Sequence, residues 1–303
     1  MKQKFFLFLG LCTQLLGITA FAQKSNTVKP VKPAEEKSLL WKVSGKDLKG
    51  ASYIFGTIHA ICSEDYFFTE KMTKAFNECN QLILEVNLAD QNLGVEFQHN
   101  MLLPDGLTLH DFFSDENEYQ LFAQRLREKA EIELETFNSF KPFVLISALA
   151  LKGFTCDRTA SYEMNLIALS KDKKMLINAL ETVNRQIAFF DEIPREEIKE
   201  MMLSSLKSDK EMAVGDANEA ALMVDLYKQQ DIAGLSKMIN DSPEMKNHQN
   251  ELIYDRNRDW VSKLPEMMKK NKSFIAVGAG HLSGDQGVLH LLKEAGYKVE
   301  AVK

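Results

Sequence analysis

The chain has 303 residues, 45% of them hydrophobic and 26% charged, with 43 acidic residues against 37 basic ones. A formal net charge of −6 argues against a nucleic-acid partner, because phosphate backbones are bound by an excess of lysine and arginine. The length and apolar content suffice for one large domain.

Residues 1–22 have the pattern of a secretory signal peptide. Lys2 and Lys4 precede an apolar run that ends in AFA at residues 20–22, the small-x-small sequence of a cleavage site. The run is too short for a membrane span, and no later stretch reaches about 18 uninterrupted apolar residues. The sequence therefore predicts an exported protein, periplasmic or extracellular after cleavage, without an integral membrane span in the mature chain.

A flexible linker is expected over residues 23–38, which are polar and contain two prolines. The ordered domain is expected over residues 39–303. Its cysteines, Cys62, Cys79 and Cys156, allow one disulfide and leave one thiol, and the spacing does not select the pair.

The domain begins with alternating strand and helix patterns. LLWKVSG and ASYIFGT flank a Lys/Asp/Gly turn and predict a β-hairpin over residues 39–57. A helix is expected over residues 63–80 with Ser63 as its N-cap, and QLILEVNL at residues 81–88 predicts a buried strand. This order indicates the start of an α/β sheet.

The middle of the chain is largely helical from about residue 90 to residue 263, with one strand in KKMLINALE and helix breaks at Pro194 and at Asp241-Ser242-Pro243. The sheet resumes with KSFIAVGAG, followed by the helix GVLHLLKEAG and the closing strand YKVEAV. The predicted fold class is α/β, with a mixed sheet formed by the N- and C-terminal segments around a largely helical middle.

Two of these strands end in the same short motif. Gly56-x-x-His59 and Gly278-x-x-His281 each place a histidine just past an apolar strand. Ligands of open α/β sheets bind outside those strand ends, so the two histidines are expected to converge if their strands are neighbours. Glu85, within LILEVNL, is the third candidate, because a buried carboxylate needs a cation or several hydrogen-bond donors.

Two imidazoles and one carboxylate are a common ligand set for Zn and other divalent metals, with one position left for water. His59, Glu85 and His281 are therefore predicted as metal ligands and catalytic residues. Structural roles, such as a Glu–Arg pair and helix-capping histidines, fit the same pattern and stay open. The other histidines, expected to be structural or on the surface, are His99, His110, His248 and His290.

The ordered set LWKVSG…SYIFGTIHA, LILEVNL, LETVNRQ, YDRNRDW and FIAVGAGHLSGDQGVLHLLKEAGYKV resembles the TraB/GumN family, which is related to the Tiki metalloproteases. The resemblance covers residues 39–303 and implies a fold related to erythromycin-esterase-like and haem-binding ChaN-like proteins. It also implies a site built from the two Gly-x-x-His histidines and a glutamate, here His59, His281 and Glu85. The Tiki-type activity that it implies is that of a peptidase dependent on a divalent metal (Zn, Mn or Co).

Arg256 and Asn257 resemble the Arg-Asn pair of the family, which makes Arg256 a candidate catalytic residue. Its guanidinium is expected to orient Glu85 or to bind a substrate carboxylate, and a surface ion pair with Asp255 or Asp259 is the alternative. Glu181, with Gln186 behind it, is expected either to reach the same crevice or to act as a helix N-terminal acid.

These features favour an exported, metal-dependent hydrolase, peptidase-like, that acts on a peptide or small-molecule substrate. The alternative is a non-catalytic protein that binds a metal, haem or a peptide. In that case exposed apolar residues, such as Phe112-Phe113 and Met201-Met202, would line a ligand groove instead of packing in a core.

Export is directly testable. N-terminal sequencing of the protein recovered from the periplasm or the medium is expected to begin at Gln23, because cleavage follows the AFA sequence. A mature protein that retains Met1 would contradict the prediction.

Overall fold

The computed structural model describes residues 36–91, 93–94, 100–154, 156–204, 206, 216–242 and 247–303. The predicted signal peptide, most of the predicted linker and His99 lie outside the described residues. Among the residues that are described, none of the helices has the length and apolar character needed to cross a membrane.

The described strands are β1 (Leu40–Ser44), β2 (Ser52–Thr57), β3 (Ile61–Cys62), β4 (Gln81–Leu84), β5 (Thr159–Ala160), β6 (Leu176–Ala179), β7 (Ser273–Gly278) and β8 (Lys298–Ala301). The described α-helices are α1 (Glu70–Asn77), α2 (Glu116–Ala130), α3 (Pro142–Lys152), α4 (Tyr162–Asp172), α5 (Val183–Glu192), α6 (Arg195–Ser204), α7 (Asp216–Lys228), α8 (Ile232–Asp241), α9 (Asp255–Lys270) and α10 (Val288–Glu294). A π-helical segment, Asn250–Tyr254, leads directly into α9.

A six-stranded mixed sheet has the order β6-β4-β7-β2-β1-β8. Strands β6, β4, β7 and β2 are mutually parallel, whereas β1 runs antiparallel to both of its neighbours, β2 and β8. The predicted α/β class is confirmed, with N- and C-terminal strands in one sheet and a largely helical middle.

Strands β4, β7 and β2 lie at the centre of the sheet because they are apolar on both faces. Every residue of β2 and of β4 is buried, which matches the continuous hydrophobic runs seen in the sequence. Phe55 and Phe274 from β2 and β7 pack together with Phe76 from α1 in the main core. This burial fixes the register of the strands and therefore the positions of the residues that follow them.

The helical middle has a core of its own, formed by α2, α3, α5, α6 and the segments between them. Phe113 and Met202 are buried in it, while Phe112 and Met201 are partly buried against it. These apolar residues therefore pack in or against a core, as expected if they do not line a ligand groove.

Two predicted boundaries are wrong. Ser63 is not a helix N-cap, because the preceding residues form β3, which pairs with β5, and the Ser63 N–H donates to the carbonyl of Arg158. The helix starts six residues later with Thr69 as its N-cap, whose hydroxyl accepts the N–H of Met72. Glu85 directly follows β4 instead of lying within it.

The disulfide joins Cys62 to Cys156, and Cys79 is the buried free thiol. Burial raises the pKa of the Cys79 thiol to about 12, so this group stays protonated and packs as an apolar side chain. The bond links the end of β3 to the segment that precedes β5.

Gly56 is expected to be irreplaceable because the turn after β7 lies against its backbone. A Cβ at this position would lie 2.9 Å from Leu282 Cδ1 and 3.1 Å from Ala279 Cβ. Gly56→Ala should lower the free energy of unfolding by about 1–3 kcal/mol, as expected for an overpacked core. The control is Gly94→Ala, where a Cβ meets nothing within 4 Å. Equal urea midpoints for the two variants would contradict the prediction.

Candidate active site

Three predicted site residues lie at one edge of the sheet. Strands β2, β7 and β4 are adjacent and parallel, so their carboxyl ends meet. His59 lies two residues beyond β2, His281 three residues beyond β7, and Glu85 immediately beyond β4. The sheet thus brings together side chains from the two ends of the domain.

The carboxylate of Glu85 is buried and fully hydrogen-bonded. Its Oε1 accepts the backbone N–H of Gly278 at 2.7 Å, and its Oε2 accepts from Gln186 Nε2 at 3.1 Å and from Arg256 Nη2 at 2.7 Å. A Cβ on Gly278 would lie only 3.3 Å from Oε1, so glycine allows the backbone to approach the carboxylate.

Glu85 is ionised at neutral pH. Burial by itself raises the pKa of the carboxyl, but the guanidinium of Arg256 lowers it. His59 and the N–H of Gly278 act in the same direction, and the resulting pKa is about 2.

Arg256, in the first turn of α9, binds two carboxylates. Its Nη2 lies 2.7 Å from Glu85 Oε2 and 2.5 Å from Glu181 Oε1, and its Nε donates to Glu181 at 3.0 Å. Its Nη1 donates to the carbonyl of Leu252 in the π-helical segment. Its guanidinium carbon lies 4.8 Å from the ring centre of Trp260. Because every guanidinium nitrogen has a protein partner, Arg256 orients Glu85.

The alternative surface pairs of Arg256 are not formed. Asp255 pairs with Arg258, and Asp259 pairs with Lys263, all on the exposed or half-buried face of α9. The side chain of Arg256 is only 11% exposed.

Glu181 reaches the crevice from the end of β6. Its side chain is 1% exposed, its backbone N–H donates to the carbonyl of Glu85, and Thr182 caps the helix that follows. Burial raises the pKa of Glu181, although the nearby guanidinium of Arg256 opposes the shift. A single cation is therefore shared by two buried carboxyl groups.

His281 is buried, with its Nδ1 lying 2.7 Å from Asn257 Oδ1. The Nδ2 of Asn257 donates to the backbone carbonyls of His281 and Gln286, so we assign Oδ1 as the acceptor and place the proton on His281 Nδ1. The Nε2 lone pair then faces Arg256 Nη1 at 3.4 Å. Burial lowers the pKa of His281 to about 3, so the imidazole is neutral.

His59 has a different environment. Its Nδ1 lies 3.4 Å from Glu163 Oε1, and the side chain is 76% exposed. The interaction with Glu163 raises the pKa of His59 to about 9, and the charge of Glu85 adds to the shift. Solvent weakens this ion pair, but the imidazolium form still predominates at neutral pH.

Glu163 was not singled out by its sequence context. It occupies the first turn of α4 behind the N-cap Ser161, where an acidic residue ordinarily complements the helix dipole. No sequence signal distinguishes this position, because its contact with His59 depends on two segments about one hundred residues apart.

The described residues contain no group of three or more His, Cys, Asp or Glu side chains placed to hold a metal ion. Both oxygens of Glu85 are engaged by protein donors, and His59 faces Glu163. His281 alone has the arrangement of a metal-bound histidine, with one ring nitrogen fixed by a partner and the other carrying a lone pair.

The other described histidines, His110, His248 and His290, pair with Glu116, Glu197 and Glu294 respectively.

A pocket of about 620 Å³ opens beside Glu181 at the end of β6, with Arg185 and Lys263 in its lining. The lining also carries two acidic side chains, Glu181 and Asp259, and Asp259 pairs with Lys263.

A family model described as the TraB/PrgY/gumN family matches residues 39–301. The chain belongs to the TraB/PrgY/gumN family. The family resemblance predicted from the sequence motifs is thereby confirmed.

The similar curated proteins are distant relatives. "Metalloprotease TIKI2" of Danio rerio is 22% identical and aligns with 90% of this chain and 62% of its own length. "Metalloprotease TIKI2" of Xenopus tropicalis is also 22% identical, over 89% and 61%, and "Metalloprotease TIKI homolog" of Nematostella vectensis is 20% identical, over 95% and 74%. The chain thus spans about three-fifths of the length of the two TIKI2 proteins. No solved structure matches.

Arg256→Ala is expected to lower the free energy of unfolding by about 3–5 kcal/mol, because it leaves two buried carboxyl groups without their cation. The matched control is Arg258→Ala on the same helix, whose half-exposed pair with Asp255 should contribute less than about 1 kcal/mol. Chemical denaturation of both variants at pH 7 measures the difference. Similar losses would show that the buried cluster does not stabilise the fold.

Proposed function

We propose that the chain is a hydrolase of peptide or amide bonds, in which His281 and His59 divide the acid–base work. One arrangement supports the proposal: of the two Gly-x-x-His histidines at neighbouring strand ends, His281 is buried beside Arg256, and this burial lowers its pKa, whereas His59 faces the carboxylate of Glu163, which raises its pKa. Titratable groups held in opposite protonation states at one site are the usual basis for assigning an acid and a base.

His281 is the base in this proposal. Its Nδ1–H is held by Asn257, so the Nε2 lone pair has a fixed direction, and it can accept a proton from an attacking water that replaces the long contact with Arg256 Nη1. The positive charge of Arg256 beside the ring disfavours protonation in the resting state. His281 would therefore accept the proton only as the water becomes bonded to the carbonyl carbon.

His59 is the acid. It is the most exposed member of the set and carries a proton at neutral pH, which suits it to protonate the nitrogen that leaves when the amide bond breaks. The positive charges of His59 and Arg256 also favour the negative charge that develops on the carbonyl oxygen. Glu85 and Glu181 keep the guanidinium of Arg256 in place beside the reaction centre.

Metal dependence is supported by the name "metalloprotease" of the relatives. The predicted ligands do not fit a three-ligand metal site in their present arrangement, because Glu85 is bound by Arg256, Gln186 and Gly278. The steps proposed here therefore use only the groups of the chain. The predicted Zn, Mn or Co requirement is tested separately by chelation.

The substrate class follows from the surroundings of the site. The pocket beside Glu181 has room for a peptide segment, and Arg185 in its lining can pair with a carboxylate of that segment. Export, as the signal-peptide pattern predicts, would place this activity in the periplasm or outside the cell.

The test measures cleavage of a fluorogenic peptide library by wild type, His59→Gln and His281→Gln. Each substitution should lower kcat by about 10²–10⁴-fold, the usual contribution of a general acid or base. His290→Gln, at an exposed histidine paired with Glu294, is the control and should retain the wild-type rate.

The pH dependence has a defined sign. The wild-type rate should fall as pH rises through about 9, where His59 loses its proton, and as pH falls through about 3, where His281 gains one. The rate of His59→Gln should not show the fall at alkaline pH.

Turnover that stops with chelator and returns with Zn, Mn or Co would establish the metal requirement. Peptide, metal or haem binding without any turnover would favour the non-catalytic binding protein.

A further inference from the structure

We infer that Glu163 is a positioning residue that fixes the imidazole of His59 for proton transfer. The inference rests on the proposed role of His59 as the acid. Glu163 does not contact the substrate in this inference and acts only through the ring of His59.

The contacts of Glu163 differ from those of an acidic residue that only complements a helix dipole in the first turn. Its Oε1 accepts the hydroxyl of Thr57 at 2.6 Å and lies 3.4 Å from His59 Nδ1, while its Oε2 accepts the hydroxyl of Ser161 at 3.0 Å. The side chain of Glu163 is only 12% exposed. Both oxygens are thus directed by fixed donors, and Thr57 is the last residue of β2, two residues before His59.

His59 needs such a partner more than His281 does. Three-quarters of its side chain is open to solvent, so packing alone does not select one orientation of the ring. A ring that samples several rotamers spends less time in the geometry required for proton transfer, and fixing it removes that loss. The nearest fixed acceptor for its Nδ1 is the buried carboxylate of Glu163.

The backbone joins the two residues as well. Strand β3 begins two residues after His59, and β5 ends three residues before Glu163; the two strands pair through Ile61 and Ala160. The Cys62–Cys156 disulfide cross-links the same two segments. The distance between His59 and Glu163 is therefore restrained by a paired and cross-linked framework.

His281 has the same arrangement with a different acceptor. Its Nδ1 is held by Asn257 in the first turn of α9, as the Nδ1 of His59 faces Glu163 in the first turn of α4. Each Gly-x-x-His histidine thus receives its acceptor from the start of a helix far away in sequence. The repeated geometry supports positioning as the common role of the two acceptors.

The test uses Glu163→Ala and Glu163→Gln in the full chain. Alanine removes the acceptor and should lower kcat on the cleaved peptide by about 10–100-fold, as loss of a partner that orients a histidine does, with KM unchanged. Glutamine keeps an oxygen at the same place and should restore most of the loss in assays below about pH 6, where an imidazole is protonated without a neighbouring charge. Glu116→Ala is the control, because it removes the partner of the exposed His110, 2.7 Å away, and should change neither constant.

An NMR measurement tests the orientation of the His59 ring without requiring substrate cleavage. In wild type the Nδ1–H proton of His59 should give a slowly exchanging, downfield NMR signal, which Glu163→Ala abolishes and Glu163→Gln retains, while the His281 signal is unchanged in both variants. Thr57→Val, which removes the 2.6 Å donor to Glu163, should weaken the His59 signal and provides a second variant if Glu163→Ala does not fold.

The inference is overturned if the His59 signal persists in Glu163→Ala, or if alanine and glutamine lower kcat equally below about pH 6, since charge rather than position would then be what His59 requires. If wild type cleaves no peptide, the proposed function fails. The NMR measurement still decides in that case whether Glu163 fixes the ring of His59.

Discussion

The guanidinium of Arg256 lies between two buried carboxylates, and the arrangement of the site depends on it. Glu85 and Glu181 come from the ends of β4 and β6, whereas Arg256 comes from the start of α9. Burying charges is costly unless each has its partner, so a displacement of any one segment would leave an uncompensated charge. This constraint holds α9 in one position on the sheet and brings Asn257 to His281 and Trp260 to the guanidinium.

The same short motif produces two chemically different histidines because glycine and histidine alone do not determine the environment. Gly56 allows the turn after β7 to pack against β2, and Gly278 allows the backbone to reach Glu85. His281 is then enclosed beside a cation, and His59 is left in solvent beside an anion. The difference lies in burial, which lowers the pKa of His281, and in the carboxylate of Glu163, which raises the pKa of His59.

The sequence predicted the sheet well because its strands are continuous apolar runs with clear turns between them. The two histidines were identifiable because they follow such runs and parallel neighbours align their carboxyl ends, and Glu85 because it is a carboxylate within an apolar run. The partners were not identifiable: Glu163 looks like a helix-dipole acid, and nothing local selects Glu181 over Asp255 for Arg256. Likewise Ser63 has the chemistry of an N-cap, but it lies in the turn that follows β3, whose pairing with β5 delays the start of the helix. Contacts between distant segments decide these cases, and local propensity does not encode them.

The Cys62–Cys156 bond also divides the chain in a way that bears on how it folds. It closes a loop with a sequence separation of 94 residues, which contains β4 and Glu85 but excludes β2, β7 and α9. A loop of this size lowers the entropy of the unfolded chain by an amount worth about 4.5 kcal/mol in the chain-entropy description. An oxidised chain therefore keeps the segment after β2 and the segment before β5 close together even when it is unfolded.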